Sequence, residues 1–293
     1  MSEQEEFYIR EDEITTGLKV IRFYFGKMGR FFPFVTKRLF WHLFTNPRQR
    51  KWSTKHQEYI ETGISHSKIS TEYKKEFVIH QFGKSDKKIL LCHGWEGRTV
   101  DFKNIINQLL SGGFEVWSID FPGHGKAPKG KASLPLFRDV IYTISEAVNF
   151  YGFIGHSLGA ASLALSFEKM ELIKPKYFVF MGLHPVPKNF VTQFQEVTTL
   201  DDKTFHKCVT YGEKILQTSI ADFDCHLHLE QFNQNNILFI HDLKDRVIHK
   251  NRVKGFASKI SGAQIFIGDH GGHYVHFKHP EVAPKIVEFL QSN

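Results

Sequence analysis

The stretch Asn149-Phe150-Tyr151-Gly152-Phe153-Ile154-Gly155-His156-Ser157-Leu158-Gly159-Ala160-Ala161-Ser162-Leu163-Ala164-Leu165 decides how the rest of the chain is read. Its first third is apolar and aromatic, long enough for one buried strand. Its last third is rich in Ala and Leu and suits a helix. Between them lies Gly-x-Ser-x-Gly, at Gly155 to Gly159. A serine on a tight turn from strand to helix is held in strained backbone geometry, with its hydroxyl clear of the sheet. A side chain at Gly155 or Gly159 would collide across such a turn, which is the reason for the two glycines. The pentapeptide alone also fits a Gly/Ser-rich loop, so its surroundings must choose between the readings.

Outward from this stretch the chain alternates between strands and helices. Phe77-Val78-Ile79-His80 and Lys88-Ile89-Leu90-Leu91-Cys92-His93 read as strands. Phe102, Ile105, Ile106, Leu109 and Leu110 have helical spacing and stop at Gly112-Gly113. Phe114 to Asp120 is the next strand, and Ser133 can cap a helix over Leu134 to about Val148 that leads into the strand before Ser157. Beyond it come Tyr177 to Met181, Ile237 to Ile240, Gln264 to Ile267 and an amphipathic helix from Pro280 to Leu290. Continuously apolar strands alternating with helices predict an α/β fold, a mostly parallel sheet covered by helices on both faces. Ligands then bind at the carboxyl ends of the strands. The polar stretch of about 183–234 breaks the alternation and is expected to be a short helical cap insertion. A helical N-terminal extension over 1–75, packed on the core, and an α/β domain over 76–293 are the expected organisation.

The chain has 293 residues and a formal charge of +7, with 29 Phe. That length suits one large α/β core. A basic balance can signal nucleic acid, yet no Arg-rich run, zinc-finger spacing or aromatic RNA-binding signature is present, so nucleic acid is not an expected partner. Basic residues cluster among aromatic ones between Leu18 and His56, for example Lys27, Arg30, Lys37 and Arg38 with Phe31, Phe32, Phe34 and Trp41. A helix begins at Pro33 and ends at Asn46-Pro47. Such a segment can pack its aromatic face on the domain and leave its cations in solvent. A weak membrane-surface contact through residues 18–56 is the secondary reading. Three cysteines, Cys92, Cys208 and Cys225, make no disulfide framework and fit a reducing compartment. With an acidic start unlike a signal peptide and no bilayer-length apolar run, the expectation is a cytoplasmic protein.

A reactive serine needs a base, and the base needs an orienting acid. Two downstream segments offer them, each directly after a strand: His241-Asp242-Leu243-Lys244-Asp245-Arg246-Val247-Ile248 and Asp269-His270-Gly271-Gly272-His273-Tyr274. Asp242 and Asp245 compete for the acid, His270 and His273 for the base. His270, His273, His276 and His279 also recur every third residue, a spacing that suggests a metal site. The glycines and Pro280 argue against the continuous helix such a site needs. Cys225-His226-Leu227-His228 with Asp222 and Asp224 reads as polar surface. No cofactor or metal is expected.

With His93-Gly94-Trp95-Glu96-Gly97 after one strand, Asp120-Phe121-Pro122-Gly123-His124-Gly125 after the next, the Ser157 turn and the two acid and base segments, the chain from about Phe77 to its end resembles the α/β-hydrolase superfamily. It is most similar to small bacterial esterase-like members with a helical N-terminal extension. The resemblance implies Ser157 as nucleophile, Asp245 as the acid and His273 as the base. It implies an oxyanion hole from the backbone N–H groups of Trp95 and Leu158, and structural roles for His93 and His124. The implied activity is serine carboxylesterase or lipase-like chemistry on a small-molecule ester. A thioesterase, amidase or acyltransferase would keep the same residues, because selectivity lies in the pocket. Relatives that use Asp at the nucleophile position are set aside by Ser157. The rival of another class is a non-catalytic hydrolase-fold binding protein, against which an intact Ser, Asp and His set argues. Oligomeric state is not legible.

Overall fold

The central strands come from apolar runs and are buried almost throughout, whereas the two edge strands hold no buried residue. The computed structural model describes residues 15–167, 176–269, 271–274 and 276–292. Its strands are β1 (Ile64–Ile69), β2 (Glu76–Phe82), β3 (Lys88–Cys92), β4 (Glu115–Asp120), β5 (Gly152–His156), β6 (Tyr177–Met181), β7 (Asn236–Asp242) and β8 (Gln264–Gly268). Among the described residues they form one eight-stranded sheet in the order β1-β2-β4-β3-β5-β6-β7-β8. β2 runs antiparallel to both neighbours, and every other pair is parallel.

Strand periodicity sorts the apolar residues onto two faces. Ile89, Leu91, Ile154, Val179, Leu238 and Ile240 join one core cluster with Ile105, Ile106 and Leu109 of α4 (Lys103–Ser111) and Ile286, Phe289 and Leu290 of α11 (Val282–Gln291). The intervening positions carry a ladder of aromatic rings. Phe153 stacks on Phe178 at 5.4 Å, and Phe180 stacks on Phe239 at 5.6 Å. Phe167 and Phe256 meet this ladder edge-on, and Phe232 leans on Phe180 at a tilt. Each buried ring contributes roughly 1.5–3 kcal/mol through removal from water, with ~1 kcal/mol more from ring–ring geometry. The helices on this face include α5 (Leu134–Ala147), capped by Ser133 as its sequence suggests, and α6 (Leu158–Ala164).

The chain divides into two compact units, one from Pro47–Pro185 with Cys225–Asn293 and one from Met1–Asn46 with Val186–Asp224. Residues 47–75, grouped by sequence with the N-terminal extension, lie in the α/β unit. There α3 (Thr54–Ile60) gives Ile60 to the core, and β1 pairs with β2 along its whole length. β1 reads Ile-Ser-His-Ser-Lys-Ile and is exposed throughout, so it carries no burial signal. Its turn into β2 is held from α5, where the Asp139 carboxylate accepts from the Glu72 and Tyr73 amides at 2.9 and 2.8 Å.

The second unit contains α1 (Thr16–Phe23), α2 (Pro33–Thr45), α7 (Asn189–Thr198) and α8 (Asp202–Leu216). Phe40 is its centre, with Phe194 at 4.8 Å, Trp41 at 5.7 Å, Phe205 at 6.0 Å and Phe25 at 6.4 Å. Trp41 Nε1–H donates to the Cys208 carbonyl at 2.7 Å. Gly212, inside α8, leaves the space the Trp41 ring occupies: any Cβ there would overlap it. No helix among the described residues is long and apolar enough to cross a membrane.

Candidate active site

The backbone at Ser157 is where the local sequence shows its cost. Ser157 sits at φ 52° and ψ −117° between β5 and α6, a region that disfavours any residue with a Cβ. Its amide donates to Met181 O at 2.9 Å, which ties the turn to the end of β6. A Cβ at Gly155 would lie 2.6 Å from the Ala160 Cα, and one at Gly159 would run into the carbonyls of Cys92 and His93. Both glycines are therefore required by close approach, as their spacing suggests.

His273 reaches the serine from the loop after β8. Its Nε2 is 2.8 Å from Ser157 Oγ, and its Nδ1 is 2.8 Å from Asp245 Oδ2. The His273 and Asp245 side chains are almost fully buried. Asp245 Oδ1 accepts from the Val247 and Ile248 amides at 2.9 and 2.8 Å, so each carboxylate oxygen has a distinct task. Burial alone would raise this carboxyl. The hydrogen bond from His273, the charges of His273 and His241, and the Ile248 amide outweigh it and hold Asp245 below the ordinary carboxylate range. Asp242, the other acid offered by the sequence, accepts from the Lys244 amide at 2.7 Å in the turn at the end of β7. Asp269 pairs with Lys244 at the surface. His270 lies outside the described residues, as does the acidic stretch 1–14.

Two further histidines, not assigned from sequence, support this trio. His156 Nε2–H donates to the His273 carbonyl at 2.9 Å, fixing the loop that carries the imidazole. His241 Nε2–H donates to Ile248 O at 2.8 Å and lies 3.7 Å from Asp245 Oδ2. The available signals were adjacency to Ser157 for one and a place at the end of the strand that leads to Asp245 for the other.

The turns after β3 and β4 are locked to each other. His93 Nδ1–H donates to Gly94 O at 2.8 Å, and its Nε2 accepts from the Phe121 amide at 3.2 Å, which fixes the neutral tautomer. Burial lowers the His93 pKa accordingly. Asp120 accepts from the Thr99 and Lys126 amides, each at 2.7 Å, and from His80 Nε2–H at 3.1 Å. His124 Nδ1–H donates to Pro122 O, and its ring lies 5.7 Å from Trp95. Burial, then the neighbouring His93, lowers the His124 pKa to about 3. Both imidazoles thus serve as neutral fixtures.

Gly94 carries the first turn against the serine: a Cβ there would stand 2.8 Å from Ser157 Cβ. The Trp95 amide follows directly, and the Leu158 amide follows Ser157. Among the described residues, neither N–H has a protein acceptor. Trp95 and Leu158 are both half-buried. Among the described residues, no group of three or more His, Cys, Asp or Glu side chains is set to hold a metal ion. His226, from the Cys225–His228 segment, packs against the Phe256 ring at 5.0 Å.

A family model described as the alpha/beta hydrolase family matches residues 89–192. That segment spans the His93 and Asp120 turns and the Ser157 turn. Among solved structures the chain is similar to an esterase from Pyrococcus furiosus, with 16% identity and a TM-score of 0.60 over 84% of this chain and 97% of that one. It is similar to a bromoperoxidase from Bacillus anthracis, with 17% identity and a TM-score of 0.58 over 78% of this chain and 100% of that one. A monoacylglycerol lipase from Paleococcus ferrophilus shares 19% identity and a TM-score of 0.55, over 72% and 97%. At such identities the likeness is one of fold. No curated protein matches the sequence.

Proposed function

We propose that this chain, which matches the alpha/beta hydrolase family model over residues 89–192, is a serine hydrolase of that superfamily that cleaves a carboxylic ester through an acyl-enzyme. The observation that carries the reading is the continuous relay Ser157 Oγ, His273 and Asp245, with both links at 2.8 Å. His273 Nε2 takes the hydroxyl proton as Oγ bonds to the ester carbonyl carbon. Collapse of the tetrahedral intermediate breaks the C–O bond, and His273 returns that proton to the departing alkoxide. A water then gives its proton to Nε2 and attacks the acyl-enzyme, releasing the acid and restoring Ser157. Asp245 accepts from Nδ1–H throughout, keeping Nε2 unprotonated in the resting state and stabilising the imidazolium that forms.

Negative charge on the carbonyl oxygen needs donors that are already in place. The Trp95 and Leu158 amides are the proposed pair, supported by the closeness of Gly94 to Ser157. Such a donor contributes about 3–4 kcal/mol to the transition state. The half-buried Trp95 side chain is then placed to border the acyl group.

The test is turnover of p-nitrophenyl esters from acetyl to palmitoyl, beside an acyl thioester. Hydrolysis of the oxygen esters, abolished by Ser157→Ala and by His273→Ala, is expected. Turnover of the thioester alone would move the reading to a thioesterase. No turnover of either, with a folded protein, would leave a binding role or an acyltransferase.

A further inference from the structure

The helical unit formed by Met1–Asn46 and Val186–Asp224 has a face that the proposed ester chemistry does not use. Helix α2 buries Thr36, Phe40, Trp41 and Thr45 toward its own unit. Its first turn, together with the turn before it, carries apolar side chains that are open to solvent. Phe31 is 62% exposed, Phe32 51%, Phe34 63% and Val35 52%, and Phe23 and Val20 of α1 are exposed as well. Leaving this many large apolar side chains in water, close together in the chain, marks an interaction surface.

Charge says what that surface meets. Between Thr15 and Asn46 there are six Lys or Arg side chains, Lys19, Arg22, Lys27, Arg30, Lys37 and Arg38, and no Asp or Glu. Arg22 donates to Val197 O at 2.8 Å, and the charge of Arg30 is felt by Asp201. Lys19, Lys27 and Arg38 are exposed among the aromatic residues. The Arg38 guanidinium lies 3.6 Å from the centre of the Phe34 ring, and the Lys37 ammonium lies 5.5 Å from it. Arg30 covers Phe31 in the same way at 4.7 Å. Cations held against exposed rings suit the headgroup level of an anionic bilayer, where rings enter the acyl boundary and cations meet phosphates. A second copy of this chain is a poor occupant. A two-fold contact would set each patch against itself and bring like charges together.

We propose that the Phe23–Arg38 face docks this protein on an anionic membrane surface. The proposal stands apart from the ester-hydrolase reading and is tested by binding, not turnover. The full chain is floated with vesicles of phosphatidylcholine alone and with vesicles containing about one-third phosphatidylglycerol. Binding to the anionic vesicles only, weakening as salt is raised, is expected. Lys27→Gln with Arg38→Gln should weaken it by roughly twenty-five-fold, about fivefold for each cation lost. Phe31→Ala with Phe34→Ala should weaken it at least tenfold, roughly. In Phe31→Trp, indole emission should shift to the blue on anionic vesicles and be quenched by brominated acyl chains.

Four results would overturn the proposal: equal or no binding to the two vesicle types, binding indifferent to the Phe substitutions, a concentration-dependent dimer dispersed by those substitutions, and preference for a mixed-sequence oligonucleotide.

Discussion

Replacing Asp245 by Asn removes one charge and almost no volume, so its consequence can be worked from the hydrogen bonds. Asp245 Oδ1 accepts from two amides, Val247 and Ile248, and Oδ2 faces His273 Nδ1. In Asp245→Asn the amide oxygen will keep the Oδ1 position. Turning it round would leave the part-buried Val247 N–H and the buried Ile248 N–H without an acceptor, at about 1–3 kcal/mol for the buried one. The NH2 then faces His273 Nδ1 and donates to it. Nδ1 becomes an acceptor, the imidazole proton moves to Nε2, and Nε2–H points at Ser157 Oγ, where it cannot receive the serine proton. The expected loss in kcat is about 10³–10⁴-fold, with KM nearly unchanged, which corresponds to roughly 4–5.5 kcal/mol of transition-state stabilisation. Asp242→Asn is the matched control. It keeps an acceptor for the Lys244 amide and should hold kcat within about tenfold. Steady-state hydrolysis of a p-nitrophenyl ester by both variants is the assay. An Asp245→Asn enzyme within tenfold of the parent, or an equal loss in Asp242→Asn, would refute the reasoning.

Strain at Ser157 predicts that activity and stability trade against each other there. Ser157→Gly should be more stable than Ser157→Ala by about 1–3 kcal/mol in urea unfolding, since only Gly relaxes at φ 52°; equal midpoints would mean the backbone is unstrained. In the helical unit, Gly212→Ala drives a methyl into the Trp41 ring and should cost about 1–3 kcal/mol by overpacking. The same change at the open Gly255 should be neutral or stabilising, and a harmless Gly212→Ala would show that α8 can retreat from Trp41. Stability should fall with acid. His124 titrates near 3 when folded against an ordinary value near 6.5, so between those values the unfolded chain binds the extra proton and stability rises with pH. Asp245 and Asp120, both held below the ordinary carboxylate value, act in the same direction lower down, where their stabilisation is lost as pH falls. Urea midpoints should therefore drop between about pH 7 and pH 4, and His124→Gln should flatten the slope; a level profile in the parent would contradict it.

The sheet was legible because burial on both faces writes itself as unbroken apolar runs, such as Tyr177 to Met181 and Ile237 to Ile240. β1 was not, since an exposed antiparallel edge strand needs only backbone partners and Ser-His-Ser carries no apolar period. The helix from Pro33 to Thr45 was marked at both ends by proline and Asn46-Pro47, but sequence cannot say which unit a helix joins. That the segments 1–46 and 186–224 share one unit depends on contacts such as Phe40 with Phe194, more than a hundred residues apart. At the candidate site, the glycine spacing around Ser157 was readable because glycines there answer to steric limits. The choice of Asp245 over Asp242 rested on resemblance alone. What separates the two in space is which oxygen faces an imidazole and which closes a turn.

The central claim is that Ser157 is a nucleophile made reactive by His273. A fluorophosphonate probe, whose phosphorus is attacked only by an activated hydroxyl, tests it without a known substrate. The protein should be labelled in one place, with mass spectrometry locating the adduct on Ser157. Labelling should vanish in Ser157→Ala and fall steeply in His273→Ala while both variants remain folded. Labelling that persists in folded His273→Ala at the parent rate, or no adduct at Ser157 in the folded parent, would contradict it.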